Sequence, residues 1–404
     1  MQQLRMAVLQ YRPAPVAALT PRFYLSLTLL RFPRLYTNSP VTHRRRRFFS
    51  CCAASSHPRS GTTMSSTESI LGGPGVEDAP KGETDGPVVP SAQAFPDAPW
   101  TRAHTDERHG VRMPQTIAHR GYKAKFPENS MAAFRGAVEV GTHAIETDVH
   151  LSKDGVVVLS HDPTISRCFG KPDKIIDLEW SYLKTLRTTA EPHEPLPLLS
   201  DLLEYLAEPG NEKLWLLLDI KLDNNADDVM RLIGEVISQV APAKDRPWNQ
   251  RITLGVWAAN FVPLCDKYLP GFSISHIAFS TNYARQFFPV RNASFNILQN
   301  SMMGVIGGAF LRKTQRLGRP LYSWTVNEPK RMEWCIKKQL DGVITDDPRL
   351  FLEVCKNWSP SSPKPSFSFK EWYSIMKFQV LTTVYGIYFR WKFGYGVERK
   401  YRLT

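Results

Sequence analysis

Ala144-Ile145-Glu146-Thr147-Asp148-Val149-His150 is a short run that alternates apolar and polar residues. Residues two apart on a strand share a face, so Glu146 and Asp148 point one way and Ile145 and Val149 the other. Two adjacent carboxylates facing into a sheet repel unless a cation lies between them. Trp215-Leu216-Leu217-Leu218-Asp219-Ile220-Lys221 follows the same rule, with Asp219 and Lys221 together on one face. Ile117-Ala118-His119-Arg120-Gly121 and Val157-Val158-Leu159-Ser160-His161-Asp162 are apolar runs that likewise end in polar groups.

Outward from these runs, strands are expected at 116–119, 144–150, 156–161, 214–221, 252–257, 276–280, 295–298, 321–326 and 342–345. Helix-length segments separate them. One helix is expected over 130–140, capped by Asn129 or Ser130 and stopped by Gly141. Alternating strands and helices mean a mostly parallel sheet. Eight strands in about 250 residues close a (β/α)8 TIM barrel, an α/β fold. There are nine candidates, and Gly155 reads as a turn between the second and third, so one strand is expected to be a hairpin arm outside the barrel. Residues 163–197 are expected to form an insertion over the barrel mouth.

The polar residues lie at the carboxyl ends of strands, where this fold does its chemistry. Glu146, Asp148 and Asp219 converging on one mouth make a hard oxygen site suited to Mg²⁺ or Ca²⁺. His150 shares the face of Glu146 and Asp148, but the neighbouring strands lack a further His for a zinc site. Asp346 and Asp347 are expected to shape the turn before Pro348, and Glu128 and Asn129 to cap the following helix. Phe287, Phe288 and Phe310 suit either the core or an acyl-chain lip.

The chain has 404 residues and a formal net charge of +13. Residues 1–67 hold ten Arg and no Lys, Asp or Glu, and residues 366–404 hold seven basic and two acidic residues. The barrel region is therefore close to neutral, which argues against a nucleic-acid-binding body. The six cysteines include no C-x-x-C pair, so neither a disulfide framework nor a zinc site is expected. No Walker-type phosphate loop occurs, since Gly170-Lys171 runs into Pro172.

The Arg-rich, acid-free leader over 1–67 has the composition of a mitochondrial targeting segment. Residues 68–112, rich in Gly, Pro, Asp and Ser, are expected to be a disordered linker. The barrel is expected over 113–357. A tail follows over 366–404, in which twelve of 39 residues are aromatic. Interleaved aromatic and basic residues suit a membrane interface. Residues 372–389, with Lys377 as their one charge, are short for a bilayer span. Attachment to the membrane of a mitochondrion, lipid droplet or endoplasmic reticulum is expected; the oligomeric state does not follow.

An ordered set of motifs resembles the glycerophosphodiester phosphodiesterase family. It comprises His119-Arg120-Gly121, Pro127-Glu128-Asn129-Ser130, Glu146-Thr147-Asp148, Ser152-Lys153-Asp154-Gly155, His161-Asp162 and Leu218-Asp219-Ile220-Lys221. Trp324-Thr325-Val326-Asn327 and Thr345-Asp346-Asp347-Pro348 complete it. Within the family, the Leu-Asp-Ile-Lys and Thr-Asp-Asp-Pro wording and the aromatic tail are most similar to the fungal phosphatidylglycerol phospholipase C branch. The resemblance implies a divalent cation held by Glu146, Asp148 and Asp219. It also implies His119 and His161 as acid and base, with Arg120 and Lys221 on the phosphate. Trp324 is a candidate substrate wall or a filler of the barrel. The third acidic position is usually Glu in this family and here is Asp219, one methylene shorter.

The implied activity is cleavage of phosphatidylglycerol to diacylglycerol and glycerol phosphate. Two other readings stand beside it. One is the same chemistry on soluble, deacylated glycerophosphodiesters; the other is a non-catalytic lipid-binding barrel, against which the paired histidines argue.

Overall fold

The computed structural model describes residues 95–106 and 110–393. Its strands are β1 (His104–Asp106), β2 (Val111–Met113), β3 (Gln115–His119), β4 (Ala144–Leu151), β5 (Val157–Leu159) and β6 (Trp215–Ile220). They continue with β7 (Ile252–Val256), β8 (Ser273–Ala278), β9 (Ser294–Leu298), β10 (Leu321–Trp324) and β11 (Gly342–Thr345). The helices are α1 (Met131–Glu139), α2 (Ser166–Phe169), α3 (Trp180–Leu183), α4 (Leu199–Ala207), α5 (Ala226–Gln239) and α6 (Val262–Tyr268). After them come α7 (Thr281–Ala284), α8 (Gln299–Met302), α9 (Gly304–Arg316), α10 (Pro329–Lys337), α11 (Pro348–Asn357) and α12 (Phe369–Phe393).

The order β3-β11-β10-β9-β8-β7-β6-β4 closes on itself through β3 and β4, and every pairing in it is parallel. The expected eight-stranded barrel is therefore present. The ninth expected strand, β5, lies antiparallel on β4 outside the closed ring. Period-two alternation sorts the side chains. Ile117, Ala144, Trp215, Leu217, Tyr322 and Ile344 form the filling of the barrel. Ala118, Ile145, Leu216 and Leu218 belong to the larger core that includes the helices. Trp215 is almost completely buried, and its indole N–H donates to Gln115 Oε1 at 2.6 Å. Burial of such a side chain contributes about 2–3 kcal/mol, and the hydrogen bond removes the penalty of its polar atom. Phe287 and Phe310 are fully buried and Phe288 nearly so, which assigns all three to the core.

Register places the polar strand ends together. His119 pairs with Glu146, and Asp148 pairs with Asp219. Residues 163–197 carry α2 and α3 and contribute to a small apolar cluster of their own, built on Val158, Ile165, Phe169, Ile175, Leu183 and Leu196.

One expectation about the ends changes. The segment 95–106, expected to belong to a linker running to 112, is part of the fold. Phe95, Ala98 and Thr101 are buried, β1 pairs with β2, and Gln115 Nε2 donates to the carbonyls of Trp100 and Arg102. Its apolar residues are isolated rather than periodic, which is why the composition reads as a linker. The leader 1–67 and residues 68–94 lie outside the described residues.

Of the expected tail, residues 369–393 form α12, which packs one side on α7 and α8, and residues 394–404 lie outside the described residues. Ile375, Thr382 and Gly386 are buried, and Gln379 Nε2 donates to the carbonyls of Asn300 and Met303. The other side exposes Tyr373, Met376, Val380, Val384, Ile387 and Trp391. Among the described residues no helix is long and apolar enough to cross a membrane.

Candidate active site

The site sits at the carboxyl mouth of the barrel. After β3 the chain turns sharply through Arg120 and Gly121, both with positive φ. At Gly121 a Cβ would lie 2.6 Å from the Ala133 backbone, so only glycine fits between β3 and α1. A left-handed Arg is strained, and such strain gathers at functional sites. Here the turn is held by the Arg120 N–H, which donates to Glu146 Oε2 at 3.0 Å.

Glu146, Asp148 and Asp219 offer carboxylate oxygens that all lie within 4.8 Å of one another, and all three residues are buried. Lys221 Nζ stands between two of them, 2.6 Å from Asp148 Oδ1 and 2.7 Å from Asp219 Oδ2. An ammonium occupying this position marks it as a cation's place. Three hard oxygen donors, with no sulfur or imidazole among them, fit a divalent cation such as Mg²⁺ or Ca²⁺. The shorter arm of Asp219 therefore still reaches the cluster. Asp148 is pinned further by Asn129 Nδ2 at 2.8 Å and by Arg120 Nε at 3.3 Å.

These contacts set the charges. Burial pushes the Glu146 carboxyl up, and Asp148 and Asp219 push it further, well above the usual carboxylate range. Burial opposes charge on Asp148 too, but the Lys221 ammonium and the Arg120 guanidinium hold it well below that range. Lys221 is raised, its burial outweighed by Asp148 and Asp219. The cage thus balances its charge through two raised carboxyls, Glu146 and Asp219, one depressed carboxyl, Asp148, and an internal ammonium.

Both histidines are backed by a carboxylate. His119 Nδ1 lies 2.5 Å from Asp346 Oδ1, and its Nε2 is 4.0 Å from Glu146 Oε2. His161 Nδ1 lies 2.8 Å from Asp162 Oδ1. A carboxylate only accepts, so each Nδ1 carries the proton and each Nε2 keeps its lone pair in the neutral ring. Burial, then Arg120, lowers the His119 pKa to about 4 despite Asp346. Burial, then Lys221, lowers that of His161.

The structure brings the sequence-expected residues His119, Arg120, Glu146, Asp148, His161, Asp219 and Lys221 to this one mouth. Trp324 stands nearby with its ring edge-on to Trp257, centroids 5.7 Å apart. His150 is not in the acid cluster; its ring bridges Ser160 O and Asp223.

Three expectations are corrected. Ser130, not Asn129, caps α1, accepting from Ala133 N. Asn129 instead holds Asp148 and Thr147, while Glu128 accepts from Arg120 Nη1 at 2.7 Å and from both terminal nitrogens of Arg167. Burial raises the Glu128 carboxyl, but Arg120 and then Arg167 pull it down to about 2. Of the acidic pair after β11, only Asp347 caps a helix; Asp346 orients His119 and is itself held by Asn327 Nδ2 at 2.8 Å. Sequence reasoning missed Arg167, Lys123 and Trp257. Trp257 had a signal, as the last residue of an expected strand; Arg167, in the short helix α2, and Lys123, in a turn with its ammonium 3.7 Å from Glu128 Oε2 and 3.5 Å from Asp346 Oδ1, had none.

Fixed positive charge beside a hard-cation cage and two oriented imidazoles defines a hydrolase of phosphoric diesters. The chain belongs to the glycerophosphoryl diester phosphodiesterase family, whose pattern matches residues 119–350. It is 27% identical over 255 residues to a probable glycerophosphodiester phosphodiesterase of Mycobacterium tuberculosis, covering 61% of this chain and 92% of the relative. It is 26% identical over 283 residues to a lysophospholipase D of Homo sapiens, covering 60% and 86%. Among solved structures, a phosphodiesterase of Oleispira antarctica in complex with the product sn-glycerol-3-phosphate superposes with a TM-score of 0.53 at 22% identity, covering 61% and 98%. A putative glycerophosphoryl diester phosphodiesterase of Silicibacter pomeroyi gives 0.56 at 17%, covering 65% and 98%. These last two likenesses concern the fold.

Proposed function

We propose that this enzyme cleaves the phosphodiester of a glycerophospholipid on its diacylglycerol side, with phosphatidylglycerol as the substrate and diacylglycerol and glycerol phosphate as the products. The observation that carries the lipid reading is an aromatic wall that leaves the cage and ends on the C-terminal helix. Trp324 meets Trp257, Trp257 meets Phe279, and Phe279 meets Tyr385 and Phe389 of α12. Beyond it lies the exposed apolar side of α12, with Lys377, Arg390 and Lys392 on the same helix. Apolar rings with nearby cations suit an anionic bilayer surface, where the helix would lie in the interface rather than span it.

In this reading Glu146, Asp148 and Asp219 hold the divalent cation, which when bound neutralises charge building on the phosphoryl oxygens. Arg120 and Lys221 present fixed cations to the same oxygens. A hydroxyl of the glycerol headgroup attacks phosphorus within the same molecule, which removes most of the entropic barrier. One histidine accepts that hydroxyl proton at Nε2, and the other, protonated, donates to the leaving diacylglycerol oxygen. Water then opens the cyclic phosphate. Asp346 and Asp162 hold the two rings.

Hydrolysis of soluble, deacylated glycerophosphodiesters is the second reading, favoured by relatives named as glycerophosphodiester phosphodiesterases. Product analysis with mixed phospholipid vesicles, with and without Mg²⁺ or Ca²⁺, separates the two. Cation-dependent diacylglycerol from phosphatidylglycerol supports the proposal. Phosphatidic acid would put the cut on the other side of phosphorus. Glycerol phosphate from soluble diesters alone would select the second reading.

We also propose residence on a membrane of the mitochondrion, lipid droplet or endoplasmic reticulum. The leader's composition favours the first, and imaging of full-length and leader-deleted fusions tests it.

A further inference from the structure

Asp219 is the short-armed member of the acid cage, and both its oxygens are taken. Lys221 Nζ holds Oδ2 at 2.7 Å, and the Trp257 indole N–H donates to Oδ1 at 2.6 Å. The approach that makes this second bond possible is built into the strands. Gly255 pairs with Asp219 across β6 and β7. A Cβ there would lie 2.9 Å from the Leu218 carbonyl and 3.4 Å from Asp219 Cα, so a side chain would push β7, and Trp257 with it, away from Asp219. The Trp257 ring is braced in turn. Trp324 sits edge-on to it at 5.7 Å and Phe279 packs at 6.5 Å. Phe389 of α12 meets Phe279 edge-on at 5.6 Å and Tyr283 at 4.9 Å. At Gly386 a Cβ would lie 2.8 Å from Ser280 Oγ, so glycine lets α12 come this close.

We propose that Trp257 is the positioning residue of the cation cage, fixing the carboxylate of Asp219, and that α12 holds Trp257 in place through Phe389 and Phe279. The inference rests on the cage holding a cation, and it deepens that reading. Removing a group that orients a metal-binding side chain typically costs about 10–100-fold in metal affinity or activity. The C-terminal helix thereby belongs to the catalytic apparatus, although none of its residues reaches the mouth.

The test is the affinity of the purified full-length chain for Mg²⁺ and Ca²⁺ alone, by calorimetry, with melting temperature in cation-free buffer as the control. Five proteins are compared: wild type, Trp257→Phe, Phe389→Ala, the variant combining these two, and Asp219→Asn, in which loss of a ligand is expected to weaken binding most. Trp257→Phe keeps a ring against Trp324 and Phe279 and deletes only the donor. It is expected to weaken cation binding about 10-fold or more at a nearly unchanged melting temperature, with turnover recovering at saturating cation. Phe389→Ala is expected to weaken binding in the same direction, and to add nothing further when combined with Trp257→Phe. Wild-type affinity in Trp257→Phe overturns the positioning role, and wild-type affinity in Phe389→Ala overturns the contribution of α12. If the wild type itself takes up no cation, it is the reading of the cage that fails.

Discussion

Asp346 Oδ1 lies 2.5 Å from Nδ1 of His119, and the other oxygen of Asp346 is held by Asn327 Nδ2. Asn327 is itself fixed, because its Oδ1 accepts from the Asp346 N–H at 2.9 Å. An Asn at position 346 would thus turn its oxygen to Asn327 and its NH2 to His119. The imidazole proton would then move to Nε2, leaving no lone pair towards the cage. Asp346→Asn is expected to lower kcat by about 10²–10⁴-fold with little change in melting temperature. Steady-state kinetics beside a thermal melt checks both halves.

Lys221 is the internal counter-charge of the cage. Lys221→Met leaves Asp148 and Asp219 buried without their ammonium, and breaking such a pair costs about 3–5 kcal/mol. The loss is expected to be large in cation-free buffer and to shrink when Mg²⁺ or Ca²⁺ is added, since a divalent ion supplies the missing charge. Melting curves in chelator and in cation measure it; equal losses in the two buffers would remove Lys221 from the cage's charge balance.

The barrel wall contains a further acid-sensitive residue outside the acid cage. His276 is fully buried, stacked on Phe287 with centroids 3.6 Å apart, and burial lowers its pKa to about 3. The unfolded chain binds this proton near pH 6.5 and the folded chain only near 3. The stability His276 contributes is therefore complete above 6.5 and is lost as pH falls from there towards 3. The loss amounts to at most about 5 kcal/mol. His276→Phe is expected to flatten the fall of melting temperature across that window. Parallel curves for variant and wild type would assign the acid sensitivity elsewhere.

The exposed side of α12 gives a fourth test. Replacing Val380, Val384 and Ile387 with Ser removes apolar surface that is largely exposed among the described residues. Binding to anionic vesicles and hydrolysis of vesicle lipid are expected to fall together, while a soluble diester is turned over at the wild-type rate. Vesicle flotation and the two assays report the outcome.

The barrel strands were legible because two signals agree there. Apolar alternation gives period two, and the polar strand ends mark the carboxyl mouth. The acid cage and both histidines follow from those ends. Glu128 and Asn129 were misread because the same polar residues that cap helices also serve as hydrogen-bond partners, and spacing does not separate the roles. Arg167 lies in a short helix of the insertion, where no periodicity exists to aim it at Glu128. The tail was ambiguous because aromatic residues surround α12, so no polar face distinguishes packing on the protein from lying on lipid.

The segment around Trp100 reaches the floor of the barrel, the end opposite the cage. Its ring packs against the filling that includes Trp215 and Tyr322, its carbonyl takes the Gln115 amide, and the Ala103 N–H donates to Asp341. The family pattern begins only at residue 119. A fragment cut to that pattern, or begun at Met113, would open the barrel from below and wet its innermost aromatic layer. The boundary of autonomous folding therefore falls upstream of every residue that does chemistry, and a product begun at Met113 falls short of it.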